Sequence, residues 1–582
     1  MSKLVVGVNA FFHDSAIAIL ENGEVRYAAQ EERFSRVKFD SRAPKNALRA
    51  GLDFLRASRR DIVGVAYYED VRIKKDRIYG TLDDATLTRT TVHRWDEIHE
   101  PIELLKTELG LSCSVHQFSH HHCHAAYSFY SSGLPDALVV VNDGVGEWQT
   151  ASAWAADRDG LTLLSESRFP NSLGLFYAAV SALLGFRPNA DEYKVMGLAP
   201  YGKPRFLEQM RKLVCVRAGR VLLDTSTIDV FDMRSTAALE AYLGVRARNS
   251  SMVLEQIHLD IAASAQAALE EALLDMCVHH AALFPSRNLC LGGGVALNCV
   301  ANARIRRSGM WDRVWTPPAA DDPGNAIGAA YLLSSRLLLR PEPIQSALLG
   351  DPIESRDVAI FLKEIGASFQ LLEEDELCQR VATHLADGYV VGWVQERAEF
   401  GARSLGSRSI LADPRHRRMR DHVNAKIKNR ESFRPFAPIC LTDRVADYFE
   451  TDEHCPYMNY VVNVRRPELL GAVTHVDGSA RLQTIERKAS SRIARLLVEF
   501  EAIVGIPVLL NTSFNLADEP IVRSVADAFN TFRESDIDFL VLGNALLERA
   551  KQPIGLMHKG TFERMQLTRP LLPKTHHTYF FA

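Results

Sequence analysis

The chain has 582 residues, of which 47% are hydrophobic and 24% are charged, and its formal net charge is -4. Domains typically hold about 100–200 residues, so this length predicts several units, and we expect two large ones. The composition is that of an ordinary soluble protein. The slightly negative charge excludes a general affinity for nucleic acid or anionic lipid, so any basic site must be local.

Cysteine usage and hydropathy indicate the compartment. The nine cysteines form neither CxxC pairs nor a dense framework, which is typical of reduced thiols in a cytosolic protein. Asn9, His13 and Asp14 interrupt the first apolar run, which does not fit a signal peptide. No run of about 18 uncharged apolar residues occurs. We therefore expect a cytoplasmic protein without a membrane span.

The chain opens with adjacent strands. "KLVVGVNA" is a β-branched apolar run, and Asn22-Gly23 between two alternating segments predicts a hairpin with a primed turn. His13 follows the first strand, where an imidazole of near-neutral pKa could take a proton from a hydroxyl. Lys38, in "EERFSRVKFD", could offset negative charge on a substrate. Taken singly, a packed histidine and a solvated lysine are the simpler interpretations.

Residues 119–129, "SHHHCHAAYSF", predict a helix that carries a pair of imidazoles. His120 and His124 lie one turn apart on one face, whereas His122 points away. A metal would need further ligands, and Asp143 and Asp322 each follow an apolar strand beside a glycine turn. Two histidines with two carboxylates suit iron(II), zinc or manganese. A solvated helix end is the alternative, and the spacing alone leaves both open.

Two strands run into glycine turns, a pattern that is typical of phosphate binding. They are "ALVVVNDGVGEW" and "RNLCLGGGVALN", and the second leads into a helix that could face an anion. A plain tight turn explains such glycines equally well. In "DEYKVMGLAPYG", Glu192 and Lys194 alternate as neighbours on one strand face would, although a surface ion pair is the commoner reason for such a pair.

The prolines of residues 336–355 indicate a linker, after which a second α/β unit begins. The stretch from Arg403 to Arg434 has ten Lys or Arg against three acids, which predicts an anion site. We interpret its Arg415–Arg420 run as a charged helical face. Guanidinium forks with a hydroxyl and an amide neutralise and orient a small phosphorylated anion. The candidates are Arg403, Lys428, Arg434, Arg481, Asn511 and Ser513.

Taken together, these blocks resemble a known family. The chain resembles the O-carbamoyltransferases that modify antibiotics, nodulation signals and alkaloid toxins, over nearly its whole length. The resemblance is carried by "FFHDSAIAIL", "EERFSRVKFD", "HHHCHAA", "NDGVGEW", "EYKVMGLAPYG", "GGGVALNCVAN", "GARSLGSRSILADPR", "KNRESFRPFAP", "THVDGSARLQT" and "NTSFNLADEPIV". That many ordered blocks are not expected by chance.

The resemblance implies an α/β protein of two domains. Residues 1–345 would form a duplicated Kae1-like domain of the actin/Hsp70 (ASKHA) superfamily, and residues 346–582 a YrdC-like α/β domain. The second would activate carbamoyl phosphate with ATP and Mg2+ to carbamoyl-adenylate, and the first would transfer the carbamoyl group to a hydroxyl of a small-molecule natural product. The family also implies Fe2+ or another divalent metal, and the capacity to form a homodimer.

The resemblance also implies roles for the candidate residues. His13 and Lys38 match the transfer site, and His120, His124, Asp143 and Asp322 match the metal ligands. Of the candidates in the basic second half, Arg403, Lys428, Arg481, Asn511 and Ser513 match the carbamoyl phosphate pocket, and we add Arg434 from its place between Phe and Pro. We assign nucleotide or carbamoyl-adenylate binding to Gly144, Glu192, Lys194, Gly293, Gly294, Val295 and Asn298.

The sequence departs from the family pattern at two places. The usual wording around Arg403 has Pro, Ala and Asn where Ala402, Ser404 and Ser407 stand, which could alter the stiffness of this loop. Around the last metal ligand, Asp321 stands where the family often has glycine. Either aspartate could then be the ligand, and we choose Asp322 for its distance to the following helix.

Two other functions fit parts of the pattern. Kae1-like and YrdC-like domains also serve threonylcarbamoylation of tRNA, but RNA binding calls for an extended basic surface or stacking aromatics, and the chain is acidic overall. A sugar kinase or ATPase would share the glycine turns but not the imidazole pair or "FRPFAP". The acceptor is not set by the sequence, because variable loops build such pockets.

Overall fold

A computed structural model of the chain describes residues 3–81, 100–428, 430, 431 and 433–557. These residues form two compact units. Unit 1 comprises residues 3–35, 39–81 and 100–346, and unit 2 comprises residues 36–38 and 347–557 within the described part of the chain. The boundary after residue 346 falls within the segment predicted as a linker.

The strands described in unit 1 are β1 (Leu4–Asn9), β2 (Ala16–Glu21), β3 (Glu24–Gln30), β4 (Ile62–Tyr67), β5 (Val115–Gln117), β6 (Ala137–Gly146), β7 (Gln149–Asp157), β8 (Gly160–Arg168), β9 (Val214–Arg217), β10 (Arg220–Leu223), β11 (Asn288–Gly292) and β12 (Arg313–Trp315). Its described helices are α1 (Glu32–Ser35), α2 (Lys45–Phe54), α3 (Val71–Thr81), α4 (Pro101–Leu109), α5 (His120–Tyr130), α6 (Leu173–Leu183), α7 (Glu192–Leu198), α8 (Leu207–Leu213), α9 (Ala237–Leu243), α10 (Gln256–Leu283), α11 (Cys299–Arg307) and α12 (Asn325–Arg336).

Unit 1 contains the same sheet twice. The first sheet has the order β3-β2-β1-β4-β5 and the second the order β8-β7-β6-β11-β12. In each, the first three strands in sequence pair antiparallel, and the fourth and fifth join parallel to the first. This duplication agrees with the predicted actin-like architecture, although the sequence shows no internal repeat.

The predicted hairpin is confirmed. β2 and β3 pair antiparallel with Glu21 opposite Glu24. Asn22 and Gly23 both have positive φ, 54° and 95°, as a primed turn requires. The turn thus follows from two residues that tolerate left-handed backbone.

Helices α5 and α12 position the site of unit 1. They pack against each other, and α12 also packs on β1. The apolar face of α5, with Ala125 and Phe129, joins Val139, Val141 and Trp154 of the second sheet in one buried cluster. The opposite face of α5 therefore presents His120 and His124.

The strands described in unit 2 are β13 (Gln370–Leu371), β14 (Val391–Val394), β15 (Arg408–Ala412), β16 (Ala437–Leu441), β17 (Val461–Asn463), β18 (Ser479–Arg481), β19 (Gln483–Ile485), β20 (Val508–Ser513), β21 (Phe539–Leu542) and β22 (Ala545–Glu548). Its described helices are α13 (Ser355–Glu364), α14 (Glu374–Ala386), α15 (Arg417–His422), a π-helix (Val423–Lys428), α16 (Val445–Tyr448), α17 (Arg492–Val504), α18 (Val525–Glu534) and α19 (Ile554–Met557).

Unit 2 is built on one mixed sheet of eight described strands, in the order β13-β22-β21-β14-β15-β20-β16-β19. Helices α14 and α17 cover one face, where Leu385 and Phe500 pack with Trp393 and Leu509. Arg417–His422 forms an exposed helix, as we expected of this charged run. The predicted α/β class is confirmed for both units.

Among the described residues, none of the helices combines the length and the apolar character that crossing a membrane requires.

Candidate metal centre and anion site

Four side chains of unit 1 converge on one point. His120 and His124, both buried, lie one turn apart on α5 with their Nε2 atoms 3.1 Å apart. Asp143 Oδ2 lies 3.0 Å and 3.1 Å from these nitrogens. Asp322 Oδ1 lies 3.4 Å from each of them. One ligand atom from each residue falls within 4.8 Å of the other three, which is the geometry of a metal centre.

The sequence around each aspartate explains its position. Asp143 lies in β6 where the pairing with β7 is interrupted between Asn142 and Gly146. Asp322 begins a short 3-10 turn, Asp322–Gly324, that leads directly into α12. Asp321 does not contact the imidazoles, and its Oδ1 is buried without a hydrogen-bond partner among the described residues. The structure therefore places Asp322, rather than Asp321, in the cluster.

Gly146 makes room for His120. A Cβ atom at Gly146 would lie 2.3 Å from both Cγ and Cδ2 of the imidazole. Such a contact does not occur between real atoms, so any side chain here would displace His120 or the strand. The second glycine of "NDGVG", which we interpreted as part of a phosphate turn, instead serves close packing on a ligand.

Glu147 holds the start of α5, and sequence reasoning missed it. Its carboxylate accepts hydrogen bonds from the backbone N–H of His120 at 3.1 Å and 3.2 Å and from that of Asp70 at 2.6 Å. Burial raises the pKa of Glu147 to about 7. An acid placed just after a glycine-rich strand end is the only signal that could have indicated this role.

The electrostatics of the cluster suit a cation. Burial opposes the charged form of His120, but Asp322 and Asp143 outweigh it and raise its pKa well above the ordinary value. Burial likewise disfavours the charged form of Asp143, yet the two imidazoles hold its pKa well below its usual range. Buried carboxylates of this kind need positive charge beside them. Two imidazole nitrogens and two carboxylate oxygens form a donor set that fits iron(II), zinc or manganese.

Two further imidazoles lie near the cluster. His122 stacks on Trp154, with ring centroids 5.1 Å apart, and points away from the cluster as predicted. His13 lies between two acids, with Nδ1 3.0 Å from Asp14 Oδ2 and Nε2 3.4 Å from Asp322 Oδ2.

The charge of His13 differs from our expectation. Burial opposes its charged form, but Asp322 and Asp14 outweigh that effect and raise the pKa to about 9 rather than leaving it near neutral. The carboxylates around His13 therefore favour the protonated imidazole.

The two predicted glycine turns meet at Asp143. Its Oδ1 accepts hydrogen bonds from the backbone N–H of Gly144 at 2.8 Å and of Gly294 at 3.3 Å. Gly293 has φ of 84°, and a Cβ there would lie 2.2 Å from the Asn142 carbonyl oxygen. Val295 follows in a 3-10 turn, Gly294–Leu297. Backbone N–H groups of both turns thus lie beside the metal cluster.

Other residues assigned to nucleotide binding have partners within the protein. Asn298 caps α11 by accepting the Ala301 N–H at 3.0 Å, and its amide donates to Gln266 at 2.9 Å. The strand predicted for Glu192 and Lys194 is wrong, because both residues lie in α7. On a helix, positions two apart do not share a face. Lys194 instead lies 3.4 Å from Asp191, three residues before it.

The basic cluster of unit 2 centres on Lys428, which is 2% exposed at the end of the π-helix. Its Nζ donates to Asn515 Oδ1 at 2.6 Å, to the Asn515 carbonyl at 3.0 Å and to Ser513 Oγ at 3.2 Å. Burial, together with Arg430, Arg434 and Lys38, lowers its pKa well below the usual value. Lys38 belongs to unit 2, so its predicted action beside His13 stays a prediction.

Strand β20 carries the neighbouring polar groups. Asn511 and Ser513 lie two residues apart, on one face of the strand. The Asn511 amide donates to Gln483 Oε1 at 2.7 Å and to the Ser404 carbonyl at 3.3 Å. Its Oδ1 is buried without a hydrogen-bond partner among the described residues. The strand therefore connects Lys428 to the loop that contains Arg403.

Arg403 is held by neutral acceptors. Its Nη1 donates to the Met458 carbonyl at 2.8 Å and to Asn459 Oδ1 at 2.5 Å. Arg434 lies beside the π-helix, where its carbonyl accepts from the Asn424 amide at 3.1 Å. Arg481 lies on β18 opposite Val461. The structure thus brings Lys428 and Ser513 into contact, with Arg434 near Lys428, and joins Asn511 to the Arg403 loop through the Ser404 carbonyl.

Glu399 organises the Arg403 loop, and sequence reasoning missed it too. The carboxylate is 3% exposed, and its Oε1 accepts hydrogen bonds from three backbone N–H groups that follow Arg403. The donors are Leu405 at 2.8 Å, Ser407 at 2.8 Å and Arg408 at 2.9 Å. The backbone of the Arg403 loop is therefore held in place by one buried carboxylate.

Comparison with known proteins identifies the family of this two-unit α/β protein. The model "Carbamoyltransferase N-terminus" matches residues 4–331, and "Carbamoyltransferase C-terminus" matches residues 382–549. Nodulation protein NolNO of Sinorhizobium fredii is 37% identical, over 93% of this chain and 80% of its own length. Nodulation protein NolO of Bradyrhizobium diazoefficiens is 40% identical, over 75% of this chain and 80% of its own length. An uncharacterized protein of Synechocystis is 36% identical, over 94% of this chain and 97% of its own length.

Together with the two clusters, these matches define a transferase that handles carbamoyl groups. The chain belongs to the carbamoyltransferase family, and the recognition made from the sequence blocks is confirmed.

Proposed function

We propose that the chain is an O-carbamoyltransferase that works in two steps. Unit 2 prepares carbamate from carbamoyl phosphate and activates it with ATP and Mg2+. Unit 1 passes the carbamoyl group of carbamoyl-adenylate to a hydroxyl of a small-molecule natural product. The observation that carries this proposal is the buried Lys428 amino group, whose hydrogen bonds described above all go to neutral oxygen atoms.

The proposed activation of carbamoyl phosphate has two steps. Water cleaves carbamoyl phosphate to carbamate and inorganic phosphate, and a carbamate oxygen attacks the α-phosphorus of ATP with loss of pyrophosphate. Lys428 and Arg403 would neutralise the phosphoryl oxygens, and the Ser513 hydroxyl would orient them. The family resemblance adds Arg481 and Asn511 to this pocket, and the local sequence adds Arg434.

The proposed transfer forms a bond between the acceptor oxygen and the carbamoyl carbon, breaks the bond from that carbon to the adenylate oxygen, and releases AMP and the hydroxyl proton. A divalent metal held by His120, His124, Asp143 and Asp322, Fe2+ by resemblance, would supply Lewis-acid stabilisation of charge on phosphate oxygens. The N–H groups of Gly144 and Gly294 donate to Asp143 Oδ1, so they would hold this ligand in position. His13, whose Nε2 lies 3.4 Å from Asp322 Oδ2, would exchange a proton with the acceptor hydroxyl at this site.

The first test is the half-reaction without acceptor. Purified protein is incubated with carbamoyl phosphate, ATP, Mg2+ and Fe2+, and the products are analysed by mass spectrometry. We expect carbamoyl-adenylate and pyrophosphate, with pyrophosphate formation dependent on carbamoyl phosphate. ADP without pyrophosphate would contradict the proposal and favour a kinase or ATPase.

A pair of variants then tests the division of labour. Lys428→Met should lower carbamoyl phosphate-dependent pyrophosphate release on the order of 10²–10³-fold, the usual effect of removing an essential charge-stabilising group. It should spare transfer from supplied carbamoyl-adenylate, whereas His124→Ala should do the reverse. Lys551→Met is the control, because this lysine side chain of unit 2 is 63% exposed. Equal loss of both steps in both variants would refute the split.

A further inference from the structure

Asn325 lies against both imidazoles of the metal cluster, and no motif assigned it a role. It is the first residue of α12 and is fully buried. Its Nδ2 lies 3.1 Å from His124 Nε2 and 3.5 Å from His120 Nε2. Its other terminal atom, Oδ1, is buried without a hydrogen-bond partner among the described residues.

The position of this amide matches that of a ligand. Two donors about 2.1 Å from one ion, at right angles, lie about 3 Å apart. Asp322 Oδ1 is 3.4 Å from each imidazole nitrogen. The terminal atom of Asn325 therefore stands in nearly the same relation to the histidine pair as this carboxylate oxygen does.

The orientation of the Asn325 amide decides whether it presents an N–H donor or an oxygen ligand to the cluster. An imidazole nitrogen that binds a metal uses the lone pair that an N–H donor would need, so Nδ2 and a metal compete for Nε2. Amide oxygen and nitrogen have nearly the same size, and a half-turn about the last bond exchanges them. Because Oδ1 has no partner among the described residues, the half-turn breaks no hydrogen bond on that side.

We propose that Asn325 is a fifth residue of the metal centre, with its side-chain carbonyl oxygen directed at the cation. An amide oxygen is a hard, neutral donor of the kind that suits divalent iron and manganese. It adds a ligand without adding negative charge to a cluster that already contains two carboxylates. This inference rests on the proposed metal site of unit 1 and not on the activation chemistry of unit 2.

The test uses Co2+ as a spectroscopic probe in the full-length protein after chelation. Asn325→Leu keeps the size of the side chain and removes both polar atoms, and Asn325→Asp restores an oxygen donor. Ser334→Ala is the matched control, since Ser334 is buried on the same helix and its hydroxyl has no partner among the described residues. Titration with Co2+ gives the affinity, and the d–d absorption bands report the coordination number.

We expect Asn325→Leu to bind Co2+ on the order of 10–100-fold more weakly, with stronger d–d bands because four-coordinate Co2+ absorbs more than higher-coordinate Co2+. Asn325→Asp should bind at least as tightly as the wild type, and Ser334→Ala should match the wild type in affinity and spectrum.

Unchanged affinity and spectrum in Asn325→Leu would overturn the role of Asn325. If that variant does not fold, Asn325→Asp decides, because weaker Co2+ binding than in the wild type would contradict an oxygen ligand at this position. Failure of the wild type itself to bind Co2+ would instead overturn the metal centre, on which the role of Asn325 depends. Pyrophosphate formation by unit 2 is measured separately and distinguishes either failure from failure of the carbamoyl activation.

Discussion

The two clusters differ in the sign of the charge that each buries. In unit 1, Asp143 and Asp322 face two imidazoles, and the carboxylates raise the pKa values of both histidines. In unit 2, the buried Lys428 lies near further cations, and its pKa is lowered. A buried charge is stabilised by a partner of opposite sign. The first cluster is therefore complementary to a cation and the second to an anion.

The clusters also differ in how they are held. The imidazoles of unit 1 are set by helical spacing and contact side chains of other elements directly. Arg403 and Lys428 of unit 2 donate largely to backbone carbonyls and amide oxygens of loops. Helical spacing is visible in a sequence, whereas the carbonyl of a distant loop is not. The spacing of the histidines therefore predicted the cluster of unit 1, whereas the excess of basic residues was the signal that predicted the cluster of unit 2.

Of the changes that distinguish the two clusters, we expect the largest effect from removing the charge of one carboxylate in unit 1. Asp322→Asn should weaken metal binding at least on the order of 100-fold, above the range usual for residues outside the ligand shell. Asp321→Asn is the matched control, since its oxygen does not contact the imidazoles, and it should keep the metal. Metal content after dialysis, measured by elemental analysis, decides. Loss of metal in Asp321→Asn with retention in Asp322→Asn would reverse the assignment.

We expect a smaller effect from removing the carboxylate that supports the Arg403 loop of the basic cluster. Glu399→Ala leaves three backbone N–H groups of the Arg403 loop without their acceptor, so the KM for carbamoyl phosphate should rise about 10-fold or more, in line with about 1–3 kcal/mol for unpaired buried donors. Glu399→Gln retains an amide oxygen at the same position and should recover most of this loss. Steady-state kinetics of pyrophosphate release provide the measurement. If Glu399→Gln raises the KM as much as Glu399→Ala does, the loop requires the negative charge of Glu399 and not only a hydrogen-bond acceptor.

The smallest effect concerns a partly exposed acid outside both clusters. Burial raises the pKa of Glu192 from 4.5 to about 7, in contrast to Asp322, whose pKa is lowered mainly because His120 and His13 outweigh its burial. Below pH 4.5 both the folded and the unfolded states hold the Glu192 proton. Between these pKa values the unfolded state releases it first, so the contribution of Glu192 to stability is lost as pH rises to about 7.

Glu192→Gln removes this pH dependence. The free energy of unfolding of the wild type, minus that of the variant, should fall by about 1–3 kcal/mol between pH 4.5 and 7. Denaturant titrations at several pH values measure it. Glu208→Gln is the control, because that side chain is 76% exposed and its variant should run parallel to the wild type. A constant difference between wild type and Glu192→Gln would show that this carboxyl titrates normally.

Local chemistry was predictable where neighbours in sequence are neighbours in space. Asn22-Gly23 predicts its hairpin because both residues tolerate positive φ, and His120 and His124 predict a shared face because a helix repeats every 3.6 residues. The same reasoning failed for Glu192 and Lys194, where two alternating charged residues suggested a strand but form the first turn of a helix. Seven residues are too few for periodicity to distinguish the two.

By itself, the sequence determined the α/β class, the family and the identity of the paired histidines, since these depend on composition, ordered motifs and helical spacing. Only the tertiary structure decided that Asp322 rather than Asp321 faces the histidines, that Asn325 contacts both imidazoles, and that Glu147 and Glu399 hold the segments around the two sites. The physical reason is that these contacts join segments far apart in the chain. Their side chains carry no local pattern, and only packing of helices and strands brings them within hydrogen-bond distance.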